Sequence, residues 1–447
     1  MHGLSRFRGA AALAAAAGLT VAMTNAATAA ADRTSEVRIA EARLVATGIP
    51  GASAIAPVGT FLPGGPIHDN PAFAAFTQPG RVLDPMRIVV GSSSNFGAPL
   101  ANGDQVAGAF LSIDPTGGDT LTVPATFASS GGQESVLNGA VQMYSAQSPA
   151  FRNANNNPGA VTASFTGVSN PLGMSINNAF GRLWPANAPY GPGGLGTSTI
   201  LDPSGVPLAG APNAQAGGVF AGNMTPRLPT QVFAGALDSG AVGTAFLGRS
   251  PDGSGRAVFS VVLADGSIVQ VHTSQAVDGL AAARTIAPLN GAGSRLGVLL
   301  NYEPQRVLFV SEPGRNDVAA VDLTDDGVTF RVLAVRHLAS SALDVPIDLA
   351  PVVIETEAAN WASNTTLEEE SDFYVANRGN NTIVRMRQDG TVVSVRRVRL
   401  ADGRPLGPAR LNGIATSPDG SHIWVTVTGR LGGRAPNTGS VLELASF

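Results

Sequence analysis

The sequence predicts an all-β fold, a single β-propeller, on three observations. The stretch Ser371–Val398 (SDFYVANRGNNTIVRMRQDGTVVSVRRV) reads as three apolar-alternating segments cut by two turn-like breaks. Copies of that layout recur at 305–335, 409–429, 246–262 and 170–191, the first three with Gly-Arg-Asn or Asp-Gly breaks and the last with Trp184–Asn187 where the quoted blade has Tyr374–Asn377. The chain of 447 residues carries 54 Gly and 31 Pro. That is turn-rich, yet below the ~25–30% at which composition alone suggests disorder.

Taken in chain order, residues 1–31 fit a secretory signal peptide. Arg6 and Arg8 supply the positive start, Gly9–Met23 an Ala-rich apolar core, and Ala27-Thr28-Ala29 a small-residue cleavage site. The core is shorter than the ~20 residues a stable membrane span needs. Residues 32–447 are expected to form the propeller, outside the cytoplasm, in the periplasm or the medium. Ser35–Thr47 (SEVRIAEARLVAT) is expected to close the ring, because the last repeat ends at Phe447 one strand short. Closure of that kind removes free sheet edges.

Inner strands are expected to begin near Gly51, Pro171, Val242, Leu296, Pro346 and Leu411. That gives six blades. The gap between 51 and 171 leaves room for a seventh, although its Asn/Pro-rich text reads as an insertion around 128–170. In the quoted blade, Asp372–Ala376 is β-rich, and Asn377–Asn381 cannot continue a strand comfortably. Thr382–Arg387 alternates, and Asp389-Gly390 suits a type I′ hairpin turn. Arg396, Arg397 and Arg399 read as an exposed outer edge, where charge discourages edge-to-edge pairing. Trp184, Trp361 and Trp424 read as residues that pack blade against blade.

Charge and chemistry narrow the function classes. Charged residues make up 13%, about half the ~25% of an average soluble domain. All 28 basic residues are Arg, and the net charge is −4, so the chain has no basic footprint for nucleic acid. The absence of Cys excludes disulfides, thiolate catalysis and cysteine metal sites. No nucleic acid and no membrane span are expected, and the chain is expected to be a monomer.

Two stretches resemble known families. Tyr374–Gly390 (YVANRGNNTIVRMRQDG) resembles the NHL and YVTN-type repeats of exported bacterial propellers. Leu411–Gly429 (LNGIATSPDGSHIWVTVTG) resembles the corresponding stretch of gluconolactonase and strictosidine-synthase-like propellers. The likeness is strongest over 296–447 and weaker over 50–290. The second resemblance implies a cation in the central channel, usually calcium, held by an Asn that opens an inner strand and an acid that closes the second strand. Asn412 matches the first position. At the second the chain has Glu312, Asn377 and Asn187 in three blades, and Val427 in the blade of Asn412. The implied metal set is therefore Glu312, Asn377, Asn412 and Asn187. It holds one carboxylate, where a hard cation wants several among its oxygen ligands.

The second-to-third-strand loops share one face of a propeller with the starts of the inner strands. On that face the ligand-binding candidates are Arg315, Asn316, Arg378, Asn380 and Arg430. Amide and guanidinium groups suit a polar or anionic ligand. The five His residues are isolated and none lies in a metal-ligand spacing. The expected function is a non-enzymatic exported propeller that binds a small polar molecule, a glycan or a protein on one face, with no cofactor unless calcium. The alternative is a calcium-dependent lactonase or related hydrolase with a channel cation.

Overall fold

The computed structural model describes residues 36–49, 52–58, 87–92, 109–113, 115, 121–122, 141–145, 171–177, 182–187, 218–223, 230–233, 241–254, 257–263, 267–272, 282–288, 298–301, 306–352, 366–367, 371–408, 410–417, 420–429, 431 and 439–447. Residues 1–31, read as a signal peptide, lie outside them.

Every regular element among the described residues is a strand. Strand β1 is Arg38–Ile49. The first unit is β2 (Ala52–Val58), β3 (Arg87–Ser92), β4 (Ala109–Ile113) and, after the short β5 (Leu121–Thr122), β6 (Val141–Ser145). The second is β7 (Pro171–Asn177), β8 (Arg182–Asn187), β9 (Gly218–Asn223) and β10 (Thr230–Phe233). The third is β11 (Ala241–Arg249), β12 (Ala257–Leu263), β13 (Ser267–His272) and β14 (Ala282–Pro288). The fourth is β15 (Val298–Asn301), β16 (Arg306–Glu312), β17 (Asp317–Asp325) and β18 (Phe330–His337). The fifth is β19 (Pro346–Pro351) and, after β20 (Thr366–Leu367), β21 (Phe373–Asn377), β22 (Thr382–Met386) and β23 (Val392–Leu400). The sixth is β24 (Leu411–Thr416), β25 (His422–Thr428) and β26 (Gly439–Ala445), to which β1 adds as fourth strand.

Neighbouring strands of each unit pair antiparallel, in sequence order. The inner strands β2, β7, β11, β15, β19 and β24 touch one another in that order, and β24 meets β2 again. This is a β-propeller. The inner strands start within two residues of the positions expected from the repeats. Strand β6 falls inside the span read as an insertion, where it pairs with β4. The rest of 128–170 lies outside the described residues. Among the described residues no helix is long and apolar enough to cross a membrane.

The N-terminal strand closes the ring. Arg43–Ile49 runs antiparallel to Gly439–Glu443 of β26. Side chains fasten it: Arg43 pairs with Glu443 at 3.1 Å, and Trp424 Nε1 donates to the other oxygen of Glu443 at 3.0 Å. The first half of β1 does more than expected. Arg38–Ala42 pairs in parallel with Arg396–Leu400 of β23. Over Arg396–Leu400 the backbone of β23 is therefore not a free edge; of the three arginines there, Arg397 and Arg399 have exposed side chains and Arg396 is half-buried.

Packing follows from the two-residue period of a strand. In β16, Leu308 and Val310 face the third unit in a cluster with Leu247, Val258 and Ile268. The alternate residues Val307 and Phe309 face the fifth unit, where Phe309 meets Phe373 at 4.9 Å between ring centroids. With both faces covered, the strand reads as a continuous apolar run rather than an alternating one. Strand β21 repeats this, Phe373 and Val375 facing the fourth unit and Tyr374 and Ala376 the sixth.

The Asp-Gly turns depart from the expectation in one respect. Asp389 has an ordinary negative φ, and only Gly390 is left-handed, at 91°. The turn closes by Gly390 N–H donating to Arg387 O at 2.9 Å, while Asp389 Oδ1 accepts Thr391 N–H at 2.8 Å. It is thus not type I′ but a longer turn with Gly in the bulge position. Ser250–Gly253, Leu400–Gly403 and Ser417–Gly420 close in the same way.

Candidate functional site

The second-to-third-strand turns are built on one plan. In the fourth unit the turn is Glu312-Pro313-Gly314-Arg315-Asn316-Asp317; in the fifth it is Asn377-Arg378-Gly379-Asn380-Asn381-Thr382. The last Asn of each loop is left-handed, with φ 55° at both Asn316 and Asn381. Each reaches the segment leading into the next inner strand. Asn316 Oδ1 accepts Val345 N–H at 2.8 Å. Asn381 Oδ1 accepts Arg410 N–H at 2.7 Å and Leu411 N–H at 3.2 Å, and its Nδ2 donates to Gly407 O. These two side chains clasp one unit to the next.

The plan diverges at the strand ends flanking the turn. There the cross-strand partners are Glu312 and Asp317 in the fourth unit and Asn377 and Thr382 in the fifth. In the sixth, the residue opposite the start of the inner strand, as Asn377 is in the fifth, is Val427, paired with Ser440 one step inside the strand end at Thr428. Val427 is buried in the apolar core. Asn377 and Thr382 bond one another: Asn377 Nδ2 donates to Thr382 Oγ1 at 3.0 Å and to Ala342 O at 2.7 Å. Thr382 is bonded again by Asn380, whose Oδ1 accepts the Thr382 N–H and hydroxyl.

Glu312 and Asp317 have no such arrangement. Both are buried, the Glu312 side chain to 1% exposure and Asp317 to 5%. Antiparallel geometry brings the end of β18 to the same place, and His337 Nδ1 lies 3.1 Å from Glu312 Oε2 and 3.0 Å from Asp317 Oδ2. Arg315, half-exposed in the turn, stands 3.3 Å from Asp317 Oδ2 and 3.8 Å from Glu312 Oε2. Glu312 Oε1 and Asp317 Oδ1 are buried without a hydrogen-bond partner. Burial, and then the adjoining Asp317 carboxyl, push Glu312 up to about 8 against a lowering by Arg315. At neutral pH it is therefore held largely as the neutral acid. By strand parity the grouping lies on the face of Leu308, Val310, Ala319 and Val321, which packs toward the third unit.

The residues singled out in the sequence separate accordingly. Glu312 and Arg315 come together. Asn316 and Asn380 are committed to the backbone and to Thr382. Arg378 is half-buried, and desolvation lowers its guanidinium below the ordinary value. Asn412 Nδ2 donates to Ala52 O, joining the last inner strand to the first. Asn377 and Asn412 each keep one buried amide oxygen without a partner. Asn187 ends β8, opposite Pro171 and Gly218. Arg430 lies outside the described residues. Asp317 and His337 were not singled out by the sequence. Register holds the signal for both: a six-residue turn sets its first and last residues opposite each other, and the third strand of a meander ends beside them.

No family model matches the chain, and no curated protein matches it. Solved structures do. A protein of unknown function from Dyadobacter fermentans is 12% identical with a TM-score of 0.46, over 91% of this chain and 99% of that one. The GH93 α-L-arabinofuranosidase of Fusarium graminearum, solved with arabinobiose, is 10% identical with a TM-score of 0.42, over 92% and 97%. Virginiamycin B lyase from Staphylococcus aureus is 13% identical with a TM-score of 0.31, over 57% of this chain and 66% of the lyase. The chain thus spans slightly less than two thirds of the lyase's length.

Proposed function

We propose that the chain is an exported binding propeller that takes a small polar or anionic ligand at the end of its fourth unit, and that it is not a hydrolase. The observation that carries this reading is the contrast between equivalent strand ends. The fifth unit bonds its neutral polar pair together through Asn377 Nδ2 and Thr382, leaving one amide oxygen over, and the sixth has an apolar residue there. The fourth unit buries two carboxyls beside a histidine and an arginine with oxygens left over. Burying such groups costs several kcal/mol unless they are bonded, and clusters with perturbed acidity concentrate at functional positions. Arg315 and His337, each partly exposed, give a ligand access to the buried pair.

The hydrolase alternative draws on a channel calcium. Asn377 and Asn412 would each offer one neutral amide oxygen, their Nδ2 atoms being used on Ala342 O and Ala52 O. That is little to offset the dehydration of a hard divalent ion.

Calorimetry against a panel of small carboxylates, uronic acids and neutral sugars tests the reading. Binding should appear within the panel and weaken at least about tenfold in Arg315→Ala, the loss expected for one charge-assisted contact. Affinity unchanged by both Arg315→Ala and Glu312→Gln would contradict the placement. Calcium-dependent turnover of γ- or δ-lactones would favour the hydrolase.

A further inference from the structure

We propose that Glu312, Asp317 and His337 form a binding site for a divalent first-row transition metal of the zinc class. The proposal rests on the same grouping as the functional reading, but it can stand without a ligand.

Three observations carry it. First, one atom from each of the three residues lies within 4.8 Å of the other two. Donors bound tetrahedrally at about 2.0–2.2 Å from zinc stand about 3.3–3.6 Å apart, and the His337 Nδ1 to carboxylate separations, 3.0 and 3.1 Å, come within a few tenths of an ångström of that. Second, the Glu312 side chain is 1% exposed, its Oε2 stands 3.1 Å from His337 Nδ1, and neither of its oxygens has a hydrogen-bond partner. A buried carboxylate oxygen left over at a converging cluster is what a cation would satisfy. Third, the donors come from three paired strands of one unit, β16, β17 and β18, so the scaffold fixes their spacing.

The donor types choose the metal. Calcium takes six to eight oxygens, whereas an imidazole nitrogen with two carboxylates suits zinc and its neighbours. Two carboxylates balance the charge of a divalent ion when His337 is neutral. Three protein donors leave a fourth position open. Arg315, which stands beside both carboxylates, would be released from them to meet an anion bound there.

Chelator-treated full-length chain is titrated with Zn²⁺ and Co²⁺ by calorimetry, with metal content measured after dialysis. One equivalent of zinc is expected, and affinity should fall at least about 100-fold in His337→Ala, Asp317→Asn and Glu312→Gln, since a three-donor site then keeps two. Asp322→Asn, which breaks the exposed pair with Arg336 on the same unit, should change nothing. X-ray absorption of zinc-loaded wild type covers the case in which a variant fails to fold; one imidazole with oxygen donors is expected. Absence of stoichiometric zinc, tighter binding of calcium than zinc, or variants that bind zinc like the wild type would overturn the proposal. Zinc binding with no ligand found in the panel would refute the ligand reading alone. Ligand binding without any zinc binding would refute the metal site alone.

Discussion

Glu312 and Asn381 occupy related turns and do opposite things. Asn381 is buried, left-handed and fully bonded, so its role is structural. Removing its side chain strands the N–H groups of Arg410 and Leu411 and the carbonyl of Gly407. Asn381→Ala should cost about 3 kcal/mol or more, given ~1–3 kcal/mol for each buried group left unsatisfied. Urea unfolding measures this, and Asn381→Gly should lose less, because Gly adopts the required φ without strain. Glu312 is buried with too few partners, and its signature is in pH. Its acidity in the folded metal-free protein is weakened from 4.5 to about 8. Between those values the folded state holds a proton that the unfolded chain has released. The contribution of Glu312 to stability is therefore greatest below about pH 4.5 and is lost as pH rises toward 8. Glu312→Gln should flatten that part of the stability profile, measured by chemical unfolding at several pH values; an unchanged profile would mean that Glu312 is ionised in the fold.

At the scale of elements, β1 is the connection that makes the ring. It supplies the fourth strand of the sixth unit and also covers the edge of β23. Deleting 36–49 should expose both β23 and β26, and solubility should fall more than when 149–160 is removed. A synthetic peptide of Arg38–Ile49 should restore much of the loss, since a segment that binds only the folded form stabilises it. Equal tolerance of both deletions would contradict closure. The strands were the most legible part of the chain. Turn dipeptides recur in register, and buried strands have a continuous apolar text, so the starts at Pro171, Pro346 and Leu411 were readable. The edge of β23 was misread because its arginines reveal which way side chains point, not whether the backbone has a partner. The turn at Asp389-Gly390 was misread because the same dipeptide serves two loop geometries.

For the whole molecule, the legible and illegible parts divide by sequence distance. A meander repeats locally, so the fold is written in short copies. The site is assembled across three strands: Glu312 and Asp317 are neighbours through a turn, but His337 reaches them only because β18 returns to the same end. Isolated in sequence, that histidine has no motif. Glu312 was readable from its position in the repeat, and Arg315 from its place in a face loop. The most direct measurement is anomalous diffraction at the zinc edge from crystals of the full-length chain soaked in zinc. The account predicts a peak about 2.0–2.2 Å from Glu312, Asp317 Oδ2 and His337 Nδ1, with the Arg315 guanidinium withdrawn from Glu312. Density showing Glu312 and Asp317 sharing a proton, His337 beside them and no anomalous peak at saturating zinc would contradict it.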